Sequence, residues 1–202
     1  MALVKLNNRG VRSATTFGSI TGLGSMVFIK KVTASSSATV SFVDGTSDVV
    51  LDNTYKEYLF TFNNIHPASS SVTLDFQANA AGGSGYNETM TTTHFRAYHA
   101  EADDGAGVGY KTDKDQAQGT SFQAICEPIN NNNDDSCSGY LHLFNPSSTT
   151  FVKHFISRFS AEYATDTYVA GYFNTTSAID EIQFKMSSGN IDAGDICLYG
   201  IN

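Results

Sequence analysis

The sequence has little of several things that common protein classes need. Its 202 residues include no tryptophan, three prolines and three cysteines, and only 16% of them are charged. Soluble domains carry about 25% charged residues, and coiled coils and helical bundles need many charge pairs and helix formers. The composition therefore argues against both helical classes. Twelve per cent aromatic residues also argue against disorder, because they supply apolar area for a core.

The chain also lacks long apolar stretches. No run approaches the ~20 residues that a membrane-spanning helix needs, and residues 1–10 have no apolar core of the kind that signal peptides contain. We therefore expect a chain that is synthesised and assembled in a cytoplasm, without membrane insertion.

The odd number of cysteines agrees with this, because a secreted scaffold usually pairs its cysteines. Cys126 and Cys137 flank a polar loop and could face each other across a hairpin. A disulfide between them is one alternative, and two free thiols are the other. Cys197 has the context of an ordinary strand residue.

Positive charge is scarce except at the start of the chain. The whole sequence has a net charge of -8, which argues against binding to nucleic-acid phosphates over a broad surface. Residues 1–22 contain Lys5, Arg9 and Arg12 and no acid, so they carry +3 and residues 23–202 carry -11. We interpret residues 1–22 as an extended N-terminal arm and residues 23–202 as a single domain, with Lys5, Arg9 and Arg12 as attachment residues. A frayed terminus is the alternative for the arm.

The hydrophobic period of the remaining chain is two. From residue 72 to residue 78 apolar side chains alternate with polar ones, as in a strand with one buried face, and residues 58–62 and 182–186 repeat the pattern. Gly189-Asn190 and Ala193-Gly194 are predicted to bracket a turn between the last two strands. With no sustained helical period, the pattern predicts an all-β, antiparallel, jelly-roll-like β-sandwich, with a ten-stranded barrel as the alternative. Further strands are predicted over 26–33, 38–43, 93–99, 122–127, 139–144, 152–159, 168–173 and 196–201.

Catalytic motifs are absent from the sequence. The histidines show no His-Glu-x-x-His spacing, and neither a nucleophile elbow nor a phosphate-binding loop occurs. His94 and His99 are five residues apart on one predicted strand, so they should point to opposite faces. We predict no enzymatic activity, no cofactor and no metal. The five histidines, each predicted to be an ordinary polar side chain, are His66, His94, His99, His142 and His154.

Acidic residues in three predicted loops offer oxygen atoms of the type that calcium prefers. None of them has the spacing of an EF-hand, and solvated loop charge is the favoured interpretation. Glycoside cleavage needs two carboxylates across a groove, and no local spacing singles out such a pair. The loop acids are Asp103, Asp104, Asp134, Asp135, Asp192 and Asp195.

Several short phrases of the sequence carry a resemblance to known proteins. They are FTFNNIHP at 60–67, FRAYH at 95–99, GYLHLFNP at 139–146, VAGYFNTT at 169–176, KMSSGNIDAG at 185–194 and LYGI at 198–201. With these phrases the chain resembles a group of virion-associated proteins from tailed phages of marine and freshwater bacteria. In that group an N-terminal arm similar to residues 1–18 precedes the sandwich, and the resemblance covers nearly the whole chain. It implies a virion location and a structural, tail-fibre or capsid-associated role, and it brings no catalytic residues.

These observations favour a non-enzymatic virion protein, a tail fibre or similar appendage attached through its arm. A decoration or cement protein on the outer capsid is the closest alternative. A carbohydrate-binding module for host-surface glycans is an alternative of another class, although no tryptophan is present to build the usual sugar platform. We expect a homo-oligomer, with three copies favoured by the resemblance, because closed assembly shelters exposed sheet edges. Other virion proteins and a host glycan are the further expected partners.

Overall fold

All regular elements of the part of the chain described by the computed structural model, residues 26–162 and 164–202, are β-strands. They form two antiparallel sheets, one of nine strands and one of four. No helix that could cross a membrane occurs among these residues. The strands are β1 (Met26–Ser37), β2 (Val40–Val43), β3 (Glu57–Pro67), β4 (Val72–Ala80), β5 (Met90–His99), β6 (Ala106–Tyr110), β7 (Ala117–Gly119), β8 (Gln123–Ile129), β9 (Cys137–Phe144), β10 (Lys153–Ala161), β11 (Thr165–Phe173), β12 (Ile179–Met186) and β13 (Ile191–Ile201).

The strand order is that of a jelly roll with additions. The large sheet runs β1-β13-β3-β9-β10-β11-β5-β6, with β7 also paired to β5, and the small sheet runs β2-β12-β4-β8. Four nested antiparallel pairs, β1 with β13, β2 with β12, β3 with β9 and β4 with β8, alternate between the two sheets. Such nesting results when a long hairpin wraps around itself. The predicted jelly-roll-like β-sandwich is confirmed, and the barrel alternative is wrong because the sheets do not close.

Five strands are additions to this eight-strand frame. Strands β5, β6 and β7 are inserted between β4 and β8, and β10 and β11 are inserted between β9 and β12. Four of them, β10, β11, β5 and β6, extend the large sheet beyond β9, while the small sheet ends at β8. The large sheet therefore projects past the small one, and we call these four strands the extension.

The core between the sheets is built on phenylalanine. Phe184 on β12 is fully buried, and its ring centre lies 5.0 Å from that of Phe62 and 5.3 Å from that of Phe60, both on the opposite sheet. Phe42 and Phe76 complete the cluster at 6.2 and 6.4 Å. Most of these ring pairs meet edge to face, the arrangement that aromatic quadrupoles favour. Apolar and polar residues thus alternate along these strands because every second side chain enters this core.

Every predicted strand is present, and β3 ends at Pro67. The predicted role of Ala193-Gly194 is wrong, because both residues lie inside β13 at an irregularity of its pairing with β3. Gly194 has a φ of +119°, and a Cβ there would lie 2.6 Å from the carbonyl oxygen of Asn64. Close approach of two strands, and not a turn, requires this glycine.

The predicted arm of residues 1–22, with Lys5, Arg9 and Arg12, lies outside the described residues. The first described residue, Met26, begins β1 at an edge of the large sheet.

Candidate functional site

The outer face of the extension carries a row of aromatic side chains around one arginine. Register places five residues side by side across β9, β10, β11, β5 and β6. The four members on β9, β10, β11 and β5 point outward because neighbouring residues of their strands point into the sandwich, and the fifth, on the exposed strand β6, pairs with the member on β5. In spatial order the row is Tyr140, Arg158, Tyr168, Phe95 and Tyr110.

The middle of the row is stacked. The Phe95 and Tyr168 rings lie parallel, with an interplanar angle of 4° and a centre-to-centre distance of 4.9 Å. On the other side of Tyr168, the guanidinium carbon of Arg158 lies 5.0 Å from the ring centre. Tyr168 is therefore held between a ring and a cation, and both contacts are of favourable types.

A carboxylate fixes the arginine in place. Arg158 donates from Nε to Asp166 Oδ1 at 2.9 Å and from Nη2 to Oδ2 at 2.7 Å, and the Tyr168 hydroxyl donates to the same Oδ2 at 2.7 Å. The Arg158 hydrogen bonds hold the pKa of Asp166 below its ordinary value, and the bond to Asp166 raises the pKa of Tyr168. The two charges cancel, so the group is polar, pre-oriented and uncharged overall.

Three adjoining depressions run along β10 and β11 beside this row, with volumes of about 390, 220 and 320 Å³. The first and second share Tyr140 and Arg158, and the second and third share Ile156 and Ala170. We call the three together the outer-face groove. From Ser160 to His154 it follows six residue steps of β10, roughly 20 Å at strand spacing.

A second cluster is buried beneath the extension. His94 on β5 is fully buried, and its Nε2 lies 3.6 Å from Oε1 of the buried Glu127 on β8. Lys111 and Lys114 approach the same carboxylate at 3.9 and 3.7 Å. Strand β8 is the last strand of the small sheet, so Glu127 lies at an edge of that sheet. The segment that contains Lys111 and Lys114 lies beside this edge and supplies the positive charges that face Glu127.

Burial lowers the pKa of His94 to about 4, and the nearby Lys111 and Lys114 act in the same direction. Within the described part of the chain, both ring nitrogens of His94 and Oε1 of Glu127 have no hydrogen-bond partner. Ser157 and Thr167, which also point inward from the extension, have unpartnered hydroxyls too. Burial of these unpartnered groups carries a desolvation cost, and a positive charge on His94 would add to it.

Asp75 on β4 is a second buried titratable group. It is 8% exposed and accepts a hydrogen bond from the Thr73 hydroxyl. Burial raises its pKa to about 6, and the positive charges of Lys185 and Lys114 oppose that rise. Asp75 and Lys114 line a polar cleft of about 520 Å³.

The two groups give opposite dependences of stability on pH. The unfolded chain protonates His94 near its ordinary pKa of 6.5, whereas the folded chain does so only near 4, so the stability that neutral His94 contributes is lost as the pH falls from 6.5 to 4. For Asp75 the folded chain keeps its proton up to about pH 6, against 3.8 ordinarily, so stability is lost as the pH rises through that window.

Substitution of Asp75 isolates its contribution to the dependence of stability on pH. We expect Asp75→Asn to gain stability over the unsubstituted chain as the pH rises from about 4 to about 7, by on the order of 2 kcal/mol, because the amide keeps the shape and never ionises. Urea unfolding at steps across this range measures the difference. The exposed acid Asp104 is the control, and Asp104→Asn should give a curve parallel to the unsubstituted chain. A difference for Asp75→Asn that does not change with pH would contradict the assignment.

His94 and His99 lie on the same strand, β5, and differ in exposure as predicted. His94 is buried and His99 is exposed. His142 Nε2 lies 2.9 Å from Glu57 Oε2 on the neighbouring strand β3. The His154 ring lies 5.8 Å from the Tyr172 ring, tilted by 56° to it, at one end of the outer-face groove. From the sequence, His142 and His154 were both predicted to be ordinary sheet residues. No pattern in the sequence indicates that they lie on the same face as the groove.

Four of the six acids that were predicted to lie in loops have local partners, and the loop prediction is wrong for Asp192 and Asp195, which lie in β13. Asp103 lies 3.3 Å from His99, Asp192 lies 3.4 Å from His66, and Asp195 lies 3.1 Å from Lys31. Asp135 accepts a hydrogen bond from Asn132, and burial is the main cause that raises the pKa of the nearby Glu162 to about 7. Across residues 26–162 and 164–202 no group of three or more His, Cys, Asp or Glu side chains is arranged to hold a metal ion.

The cysteines Cys126, Cys137 and Cys197 are all buried and free, so the disulfide alternative is not realised. Cys126 lies on β8 of the small sheet and Cys137 on β9 of the large sheet, and their side chains meet between the sheets and not across a hairpin. Burial raises the pKa of Cys126 well above its ordinary value, and contact with Cys137 adds to this. These thiols therefore act as small apolar core residues.

A scan against protein-family models gave no match, and searches among curated proteins and among solved structures gave none either. The tailed-phage resemblance therefore stays a prediction from sequence phrases.

Proposed function

We propose that the chain is a non-enzymatic structural protein of a tailed-phage virion that assembles into a closed homo-oligomer. The leading form of this proposal is a tail fibre or similar appendage, and a decoration protein on the outer capsid is its alternative. The virion location and the preference for three copies rest on the resemblance of the sequence phrases. The self-association rests on the edges of the large sheet.

Both edges of the large sheet expose apolar side chains, and this observation carries the proposal. At the β1 edge, Met26 is 52% and Phe28 is 56% exposed. At the β6 edge, Val108 is 77% and Tyr110 is 51% exposed. Monomeric proteins usually protect such edges with charges, prolines or covering loops, because a free edge adds strands from other chains.

A closed ring removes both edges at once. If the β6 edge of one copy contacts the β1 edge of the next, the contact is head-to-tail, and a rotation that closes leaves no free edge. The buried surface would be mainly apolar, so we expect assembly to depend only mildly on salt.

The virion location is tested on particles. With antibodies against the chain, immunogold labelling should mark intact phage particles, on the tail for an appendage and on the head for a decoration protein.

Deleting residues 1–18 should leave the protein folded while removing it from purified particles, because the arm lacks the pattern of a core element. Exchange of Lys5, Arg9 and Arg12 for serine should weaken attachment most at low salt, where charge contacts are least screened. Full occupancy by the truncated chain would assign attachment to the body, and unlabelled particles would refute the virion proposal.

A further inference from the structure

We propose that the outer-face groove is a binding site for a neutral carbohydrate chain. This inference concerns a different surface from the sheet edges that carry the assembly proposal, and it does not depend on the virion location.

The shape of the groove fits an extended polymer better than a compact ligand. Its three depressions are shallow and continuous, and they follow the strand direction for roughly 20 Å. The small residues Ala170 and Gly171 line its third depression, and Tyr140, Arg158 and Tyr172 rise beside it. A chain-like ligand can therefore lie along β10 and β11.

The chemistry of the lining matches that of a sugar. A pyranose ring has C–H faces that pack on aromatic rings, and hydroxyl groups that donate and accept hydrogen bonds. Tyr140 is 38% and Phe95 is 40% exposed, so each ring offers apolar surface while part of it is already supported by the sheet. Ser138, Ser160 and the Arg158–Asp166 pair supply donors and acceptors in the depression that Tyr140 lines.

The electrostatics select among ligand classes. Asp166 cancels the charge of Arg158 through two hydrogen bonds, so the groove presents no concentrated positive charge. Nucleic acids require clusters of lysine and arginine to neutralise phosphates, and the groove does not supply them. Its lining combines aromatic rings with several Ser and Thr residues and the Arg158–Asp166 pair, whereas the core of a protein interface is depleted in charged groups. A neutral glycan satisfies all of these conditions.

The pre-orientation of the polar group strengthens the inference. Arg158 is stacked on Tyr168 and clamped by Asp166, and Tyr168 is itself stacked on Phe95. A binding group whose conformation is already fixed loses little entropy when a ligand arrives.

The test uses the full-length protein and a panel of neutral oligosaccharides, comprising hexasaccharides of α-glucan, β-glucan, mannan, galactan and xylan. We expect at least one member to bind in titration calorimetry. Tyr140→Ala and Arg158→Ala should each weaken that binding about tenfold or more, because each removes either a stacking face or charged hydrogen bonds. The matched control is Arg96→Ala, since the Arg96 guanidinium also stacks on a tyrosine, Tyr98 at 5.3 Å, but lies outside the groove. This control should bind as the unsubstituted protein does.

Thermal unfolding and light scattering of the same variants separate the outcomes. Unchanged stability and unchanged oligomer mass with weakened sugar binding support the site, and Tyr140→Ala decides the case if Arg158→Ala does not fold. Failure of every panel member to bind overturns the inference, as does sugar binding that neither variant weakens. An oligomer that dissociates in Tyr140→Ala or Arg158→Ala also overturns it, because the face would then be an interface between copies. The sugar-binding results do not bear on the sheet edges, which are tested by other variants, whereas dissociation of the oligomer in either groove variant would count against the edges as well.

Discussion

Replacing Phe184 with alanine should lower the free energy of unfolding by about 3–5 kcal/mol, the range found when a buried phenylalanine is truncated. The effect should lie at the upper end, because Phe184 contacts rings from both sheets. Phe60 and Phe62 approach it from the large sheet and Phe42 and Phe76 from its own sheet. Loss of the ring therefore removes packing that joins the two layers.

Urea unfolding followed by tyrosine fluorescence measures this change. Phe151→Ala is the matched control, because Phe151 is 68% exposed on a loop and should cost less than about 0.5 kcal/mol. A Phe184→Ala protein as stable as the control would contradict the placement of this residue at the centre of the core.

Replacing Phe28 and Val108 together with lysine should convert the oligomer to a monomer. The double variant places a charge at each edge of the large sheet, and desolvating a lysine in an apolar contact opposes association. Both side chains are more than half exposed in the single chain, so the folded monomer should tolerate the change. Sedimentation velocity at micromolar concentration measures the result.

Phe151→Lys controls for the loss of one exposed apolar side chain far from both edges. It should leave the sedimentation coefficient of the oligomer unchanged. An oligomer that survives the double substitution at the edges would move self-association to another surface, and a dissociated Phe151→Lys protein would show that the edges are not specific.

The fold could be predicted from the sequence wherever the information is local. The alternation of residues 72–78 and 182–186 identifies β4 and β12 because each apolar side chain enters the core at every second position. The exposed, glycine-containing β6 was not predicted, because neither of its faces is buried. Ala193-Gly194 was misread for a related reason, since the requirement for glycine comes from β3, a strand far away in sequence.

The candidate sites depend on contacts that no local pattern contains. Alternation places Phe95, Tyr140, Arg158 and Tyr168 on strand surfaces, but only the pairing of β9, β10, β11 and β5 brings them into one row. His94 and Glu127 meet because the small sheet ends at β8, which depends on how the whole jelly roll wraps. Aromatic residues at outward positions of consecutive strands were the one available signal, and it requires the strand order to be used.

Static light scattering after size exclusion of the unsubstituted full-length chain, at low and at high salt, tests the central claim of self-association most directly. The proposal predicts a single species with a mass near three times the 21.7 kDa of the chain, and little change with salt because the contacts are mainly apolar. A dimer would remove the three-fold preference and leave self-association standing. A stable monomer of 21.7 kDa at micromolar concentration would contradict the proposal.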